Sequence, residues 1–542
     1  MHTHTLIRPS AGDDLSAGAT TICAAFQAAV AHHPNRVAVR LPAEGIEWTF
    51  DEYAGRVRRA AAVLYSLGVR RGDAVALLLR NRPEHLLADM ALLHLGATTV
   101  PIYATSAPPQ VEYIMHDSGA RLLITEEAFE ETIAAAESRC PRVEHVLLLT
   151  SGAPELAGIE CPRFEFNESW QRVEPDDLAC LVYTSGTTGP PKGAEISHAN
   201  VLANVRGTWR STPPPERYHI VSFMPLAHVF GRFFEHYSPA LLAGTVTCCP
   251  DAAALPEFLA GSRPTVLMAP PRMFEKLRAR CEALGADPRE FADAAGLGDV
   301  EYAASGGAPV PVHILEFFQA VGMPLRQGWG MTELSCAGAI SGTDPDDNGT
   351  CGWPIEGLEL RISADGEVLA RGPMVIRGYR NRPAATAAAI DPDGWLHTGD
   401  IGAIDAQGRL TIVDRKKELI VNSAGKNMSP ANIEAELRNA SPLIGQACAI
   451  GDGRPYNVTL IVLDPEVAAG YPDAAARTTE VARGVSAANA RLSRVEQLKR
   501  FTILDAEWLA GGDELTPTMK LRRKSIEQKY VGAIEALYTT RR

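Results

Sequence analysis

Along the first third of the chain the spacing of apolar positions switches repeatedly between the helical and the extended period. Thr49-Phe50-Asp51-Glu52 sets a hydroxyl and a carboxylate three residues apart ahead of an amphipathic run. That is a capping box, and the helix it starts is expected to reach Leu67 and end at Gly68. Asp73 to Leu79 predicts a strand, Pro83 to Leu95 a helix stopped by Gly96, Ala97 to Ile102 an extended segment, Pro109 to His116 a helix and Arg121 to Thr125 a strand. Strands alternating with helices of this length need crossover connections, so a largely parallel sheet covered on both faces is expected. Residues 150 to 177 lack periodicity and read as a connecting loop. A second alternating block is expected from the Gly/Thr-rich stretch that starts at Tyr183 to about Thr343. From Gly349 to Val413 the pattern becomes short strands separated by turns such as Asp365-Gly366 and Gln407-Gly408, which predicts a small antiparallel or barrel-like unit. The remainder reads as α+β.

The expected architecture is therefore α/β. A large N-terminal domain over 1–413 consists of alternating α/β subdomains with a small β-rich subdomain at about 349–413, and a C-terminal α+β domain covers 418–542. The 542 residues are more than one ordinary core accommodates, and 46% apolar with 22% charged residues suits a folded enzyme. A net charge of −13 argues against a nucleic-acid binder, which needs a concentrated basic face. The ten cysteines include no C-x-x-C pair, and adjacent Cys248 and Cys249 cannot bridge without strain, which suits a reducing cytoplasm. The opening Met-His-Thr-His-Thr lacks the regions of a signal peptide, and no run reaches the roughly 18 apolar residues of a spanning helix. A cytoplasmic protein is expected, with any membrane contact peripheral.

Candidate chemistry centres on Tyr183-Thr184-Ser185-Gly186-Thr187-Thr188-Gly189-Pro190-Pro191-Lys192-Gly193. Glycines let backbone N–H groups turn toward an anion, hydroxyls donate, and lysine adds a point charge, so this reads as a phosphate-cradling loop after a strand. It is not a Walker loop, because Pro191 precedes the lysine and Gly193 follows it. Glu195-Ile196-Ser197 reads as a second strand, with a helix from about His198. Downstream, Gln327-Gly328-Trp329-Gly330-Met331-Thr332-Glu333 offers a flat ring between glycines, a hydroxyl and a carboxylate, the groups that stack on a purine, reach a phosphate and hold Mg²⁺. His228, within Met224-Pro225-Leu226-Ala227-His228-Val229-Phe230, reads on residue type alone as a core histidine. Arg522, Arg523 and Lys524 read as solvated charges.

The loop resembles the phosphate-binding signature of the acyl-adenylate-forming (AMP-binding) superfamily, and matching segments run from near residue 49 to residue 525. The resemblance implies a set of roles. Thr184, Ser185, Gly186, Thr187, Thr188, Gly189 and Lys192 would bind the ATP phosphates. Gly306, Gly307 and Ala308, with Gln327, Gly328, Trp329, Gly330, Met331 and Thr332, would line the nucleotide. Asp400 and Arg415 would hold the ribose, and Thr184 and Glu333 the Mg²⁺. His228 would border the carboxylate end of the acyl pocket, as in long-chain fatty-acid CoA ligases. Asp414 to Lys417 matches the family's domain junction, a hinge that makes the C-terminal domain mobile, and Lys520 matches its mobile catalytic lysine. Ser423-Ala424-Gly425-Lys426-Asn427 departs from the common Gly-Gly-Glu, so no CoA contacts are assigned there.

These correspondences imply an ATP- and Mg²⁺-dependent ligase that converts a fatty acid to acyl-AMP and then to acyl-CoA. One rival is an acyl-AMP ligase that loads a carrier protein. A rival of another class is an inactive nucleotide-binding or scaffold protein, which would have no need of Lys192, Glu333, Asp400 and Lys520 together.

Overall fold

The structure, a computed structural model, describes residues 18–137, 144–157, 161, 163–184, 190–422, 427–509, 511–516 and 519–539. Thr49 caps the helix Phe50–Ser66 in a complete capping box, and Gly68 follows it at φ +91°. Phe50, Tyr53, Val57, Ala60, Ala61 and Leu64 recur at the helical period and are all buried, so the cap sets where the helix starts and the stripe sets which face it buries.

Two large sheets organise the N-terminal part. The first has seven strands in the order Gly378–Tyr379, Lys192–Ser197, Leu178–Thr184, Thr98–Pro101, Ala74–Leu78, Leu122–Glu126, His145–Leu149. From Leu178–Thr184 to His145–Leu149 the pairing is parallel, and the other two strands are antiparallel. The nine-stranded second sheet runs Trp353–Pro354, Cys336–Ile340, Leu325–Met331, Tyr302–Ser305, Val266–Ala269, His219–Ser222, Thr245–Cys248, Val37–Leu41, Ile46–Thr49. One continuous core includes Val182 and Ile196 of the first sheet and Tyr302 and Val246 of the second, so the two sheets share their packing. A four-stranded antiparallel sheet, Glu359–Ile362, Glu367–Arg371, Leu396–Ile404 and Leu410–Arg415, follows. The C-terminal part is a three-stranded sheet, Ile444–Ile450, Asn457–Leu463 and Leu498–Leu504, with its own core of Ile433, Leu437, Ile461 and Val481.

Four expectations change. The strands flanking the phosphate loop close the first sheet instead of opening the second. The second sheet draws its far edge from Val37–Leu41 and Ile46–Thr49, which precede the first sheet in sequence. The stretch read as a loop, 150–177, holds the helix Phe166–Gln171. The β-rich unit also lends strands to both sheets, Trp353–Pro354 to the second and Gly378–Tyr379 to the first. Nine cysteines are described and all are free thiols. No described helix is long and apolar enough to cross a membrane.

Buried histidines give the fold a defined response to acid. Burial lowers His85 to about 3 and His94, His198 and His219 to about 4. At His94 burial outweighs the Met90 carbonyl, which accepts from Nδ1 and favours the protonated ring, and Nε2 is left to accept from the Gln27 amide. The unfolded chain takes up these protons near pH 6.5 and the folded chain does not. Stability is therefore full above pH 6.5 and falls as the pH drops toward 4, by about 1.4 kcal/mol per pH unit for each histidine. Thermal melts from pH 7.5 to 4.5 are expected to show this decline beginning near 6.5. A melting temperature constant down to pH 4.5 would contradict it.

Candidate functional site

Thr184, Gly306 and Glu333 lie at or just beyond the carboxyl ends of parallel strands in the two large sheets, where open α/β folds place their ligand crevices, while Asp400 and Arg415 come from the four-stranded antiparallel sheet and Lys520 from the C-terminal part. Leu178–Thr184 ends at Thr184, which pairs in register with Lys192, the first residue of the next strand. The Thr184 hydroxyl lies 3.5 Å from the Lys192 carbonyl. Ser185, Gly186, Thr187, Thr188 and Gly189 lie outside the described residues. Gly193 answers to packing: a Cβ there would come within 2.9 Å of the Tyr183 ring, whose hydroxyl donates to Asp117.

In the second sheet Tyr302–Ser305 leads into Gly306, Gly307 and Ala308. A Cβ on Gly306 would stand 3.2 Å from the Gly328 carbonyl and 3.7 Å from Phe230, Gly307 has φ +84°, and Gly307 and Ala308 are exposed. Leu325–Met331 bulges against Cys336–Ile340 between Trp329 and Gly330. Gly330 is obligatory, since a Cβ would sit 2.0 Å from the Cys336 carbonyl, whereas one on Gly328 would meet only ordinary contacts. Gln327 is tied into the framework by its neighbours. Its N–H donates to Ser341, its carbonyl accepts from Ser341, its side-chain oxygen accepts from Val310 and its amide donates to Cys351, so it serves the framework. Met331 is half-buried and Thr332 buried at the turn that carries Glu333.

Trp329 is buried at 8% exposure, and its indole N–H donates to Asp400 Oδ2 at 2.8 Å. Arg415 grips the other oxygen at 2.8 Å and donates to the Thr398 carbonyl. Burial raises the pKa of Asp400 while Arg415 and Trp329 oppose it. The carboxylate is thus held from two sides. Glu333 accepts from the Tyr379 hydroxyl at 2.6 Å, and the Lys192 ammonium lies 4.9 Å from the centroid of the Tyr379 ring. Tyr379 is a residue that sequence reasoning missed. Its one local signal is Gly378-Tyr379 before the Asn381-Arg382-Pro383 turn, and nothing local connects that turn to Lys192 or Glu333.

His228 caps the short helix Val229–Gly231, its Nδ1 accepting from the Phe230 N–H. Burial, and then the nearby charge of Lys520, lower it to about 3, so the ring is neutral at physiological pH. Lys520 closes a turn with Thr516, donating its N–H to the hydroxyl and accepting the Thr516 N–H. The residue as a whole keeps solvent access, yet its ammonium is crowded enough that burial, and then repulsion from Arg415, lower its pKa against the pull of Asp400, Glu418 and Glu333. Lys520 therefore stands within electrostatic reach of His228, Glu333, Asp400 and Arg415.

The junction is clasped from both sides. Asp414 accepts from the Ser429 hydroxyl and the Ala431 N–H, while Lys416 pairs with Asp365 and Glu367 at 2.6 and 2.9 Å. Lys417 is exposed. Arg272 adds a further tie to the C-terminal part through Asp464 at 3.1 Å. Arg523, expected to be solvated, instead forms a bidentate pair with buried Glu434 at 2.6 and 2.7 Å.

A divalent cation fits this donor set in one way. Among the described residues no three His, Cys, Asp or Glu side chains cluster closely enough to hold a metal. Glu333 keeps one oxygen free of described protein donors. One carboxylate with substrate phosphates is how Mg²⁺ is commonly bound.

The model of the AMP-binding enzyme family matches residues 26–380, and that of the AMP-binding enzyme C-terminal domain matches residues 417–542. The chain is 42% identical over 435 residues to a putative fatty-acid–CoA ligase of Mycobacterium tuberculosis, spanning 70% of this chain and 76% of that protein. It is 36% identical over 557 residues to a long-chain-fatty-acid–CoA ligase of Mycobacterium bovis, spanning 90% and 92%. In fold it is similar to the O-succinylbenzoate coenzyme A synthetase of Bacillus subtilis in complex with ATP and magnesium ion, with a TM-score of 0.74, 25% identity and coverage of 92% and 98%.

Proposed function

Because this chain belongs to the AMP-binding enzymes and is an AMP-forming acyl-CoA ligase, we propose that the acid it activates is a long-chain fatty acid. The observation that carries this reading is the setting of His228. A neutral imidazole heads a row of aromatic rings, with Phe230 and Phe234 at 5.2 Å, Phe234 and Trp209 at 5.8 Å, and Trp209 and Tyr302 at 5.1 Å. The row packs in one core with Ala304. Phe234, Trp209 and Tyr302 are buried, and the row ends where the Arg326 guanidinium lies 4.5 Å from the centroid of the Tyr302 ring, so the ground beside His228 is built mainly of apolar rings, as a fatty acyl chain requires. The names of the relatives support the same substrate class.

In this reading a carboxylate oxygen attacks the α-phosphorus of ATP, pyrophosphate leaves, and CoA thiolate then displaces AMP from the acyl-adenylate. Phosphoryl transfer of this kind depends on positioning and on neutralising charge. Lys192 meets the β- and γ-phosphates, and Asp400, preset by Trp329 and Arg415, accepts from the ribose hydroxyls. Lys520 lies where carboxylate and α-phosphate meet, while neutral His228 borders the carboxylate without adding charge. Mg²⁺, when bound, neutralises phosphate charge; Glu333 and Thr184 are the residues that would hold it. No protein nucleophile is needed, consistent with buried, inert cysteines such as Cys248, whose thiol burial pushes well up.

Pyrophosphate release measured across carboxylates from acetate to very long chains, with and without CoA, tests the substrate. Fatty acids of long chain are expected to give the highest kcat/KM, with stoichiometric AMP and thioester when CoA is present. Faster activation of acetate, aromatic acids or amino acids than of every fatty acid would overturn the substrate class, and adenylate without thioester would favour a carrier-protein acceptor.

A further inference from the structure

Tyr379 joins two charged groups that come from different sheets. Its two-residue strand pairs with Lys192–Ser197 at Ala194 and Glu195, and its N–H donates to the Thr386 hydroxyl at 2.9 Å. The ring is therefore fixed by backbone pairing and by the helix Pro383–Ala389. Its hydroxyl donates to Glu333 Oε1, and Lys192 lies over its face. A lysine over the face of the ring and a glutamate at its hydroxyl would, with the ring removed, be free to approach and neutralise each other. No such ion pair forms among the described residues.

We propose that Tyr379 is a positioning residue for the adenylation step. Its hydroxyl fixes one oxygen of Glu333 so that the other faces the cation, and its ring keeps Lys192 from pairing with that carboxylate. The inference rests on the ligase reading above and adds to it a residue that touches neither reacting atom. A cation–π contact holds the ammonium without quenching it, so Lys192 stays available to phosphate. The hydroxyl does for Glu333 what outer partners do for metal ligands in general, fixing orientation.

The test is calorimetric titration of a non-hydrolysable ATP analogue, with and without Mg²⁺, on the full chain. The wild type is expected to bind the analogue more tightly with Mg²⁺. In Tyr379→Phe, which keeps the ring, metal-free binding should be unchanged, while the gain from Mg²⁺ shrinks about tenfold, the lower end of what loss of such a partner costs. In Tyr379→Leu metal-free binding should weaken as well, by about 2- to 5-fold, as the cation–π contact is lost. Thermal melts establish that both variants fold. An unchanged Mg²⁺ effect in folded Tyr379→Phe, or equal weakening with and without metal, would overturn the positioning role. A wild-type protein that binds no analogue would overturn the ligase reading itself, and the positioning role with it.

Discussion

Lys520→Ala is expected to slow acyl-adenylate formation by about 10² to 10³-fold, the loss that follows removal of one preorganised charge from a developing anion. Supplied with synthetic acyl-adenylate and CoA, the same variant is expected to form thioester at nearly the wild-type rate. The split follows from where the lysine stands. Its charge reaches His228, Asp400 and Glu333, which suits the first half-reaction. A thiol must then reach the acyl carbonyl, and a group filling that space would obstruct it. We propose that the C-terminal part turns about Asp414 to Lys417, carrying Lys520 away and parting Arg272 from Asp464. Lys416, held by Asp365 and Glu367, stays with the N-terminal part, while the bonds of Asp414 to Ser429 and Ala431 cross the junction and part in the same turn. Proline at Lys417 should show the reverse pattern, sparing adenylation and slowing thioester formation. Equal damage to both half-reactions by Lys520→Ala, in a folded protein, would contradict alternation.

Glu333→Gln is expected to lower Mg²⁺-dependent adenylation on the order of 10²-fold, since a metal at phosphate oxygens contributes several kcal/mol to stabilising the transition state. The substitution is chosen for what it keeps. Glutamine still offers Tyr379 an oxygen acceptor, so the framework contact survives and only the anionic oxygen is lost. Pyrophosphate release titrated with Mg²⁺ should show both a lower plateau and a higher half-saturating concentration. A variant with wild-type rate and Mg²⁺ dependence would remove Glu333 from the metal site.

Features set by neighbours in sequence were legible, and those set by tertiary pairing were not. The capping box at Thr49 and the stop at Gly68 depend on residues a few positions apart and lie where their local pattern puts them, and a strand stands on each side of the phosphate-loop stretch, the second starting at Lys192 instead of Glu195. Periodicity carries no record of which strand pairs with which. The transfer of Gly378–Tyr379 to the first sheet and of Val37–Leu41 to the second was therefore invisible, and with it the part played by Tyr379. Gln327 likewise bonds to Ser341, Val310 and Cys351, framework partners that its place beside Gly328 and Trp329 does not announce. The Arg523 pair with Glu434 was hidden for the same reason, since a basic run looks solvated until an acid 89 residues away is packed against it.

The central claim is that a carboxylate oxygen becomes bonded to the α-phosphorus of ATP. Reaction with a long-chain fatty acid labelled in both carboxylate oxygens with ¹⁸O, followed by mass spectrometry of the nucleotide and phosphate products, tests it most directly. The account predicts one ¹⁸O atom in the phosphate of AMP, unlabelled pyrophosphate, and one ¹⁸O atom in the acyl-CoA. Unlabelled AMP, or formation of ADP with label in inorganic phosphate, would contradict it.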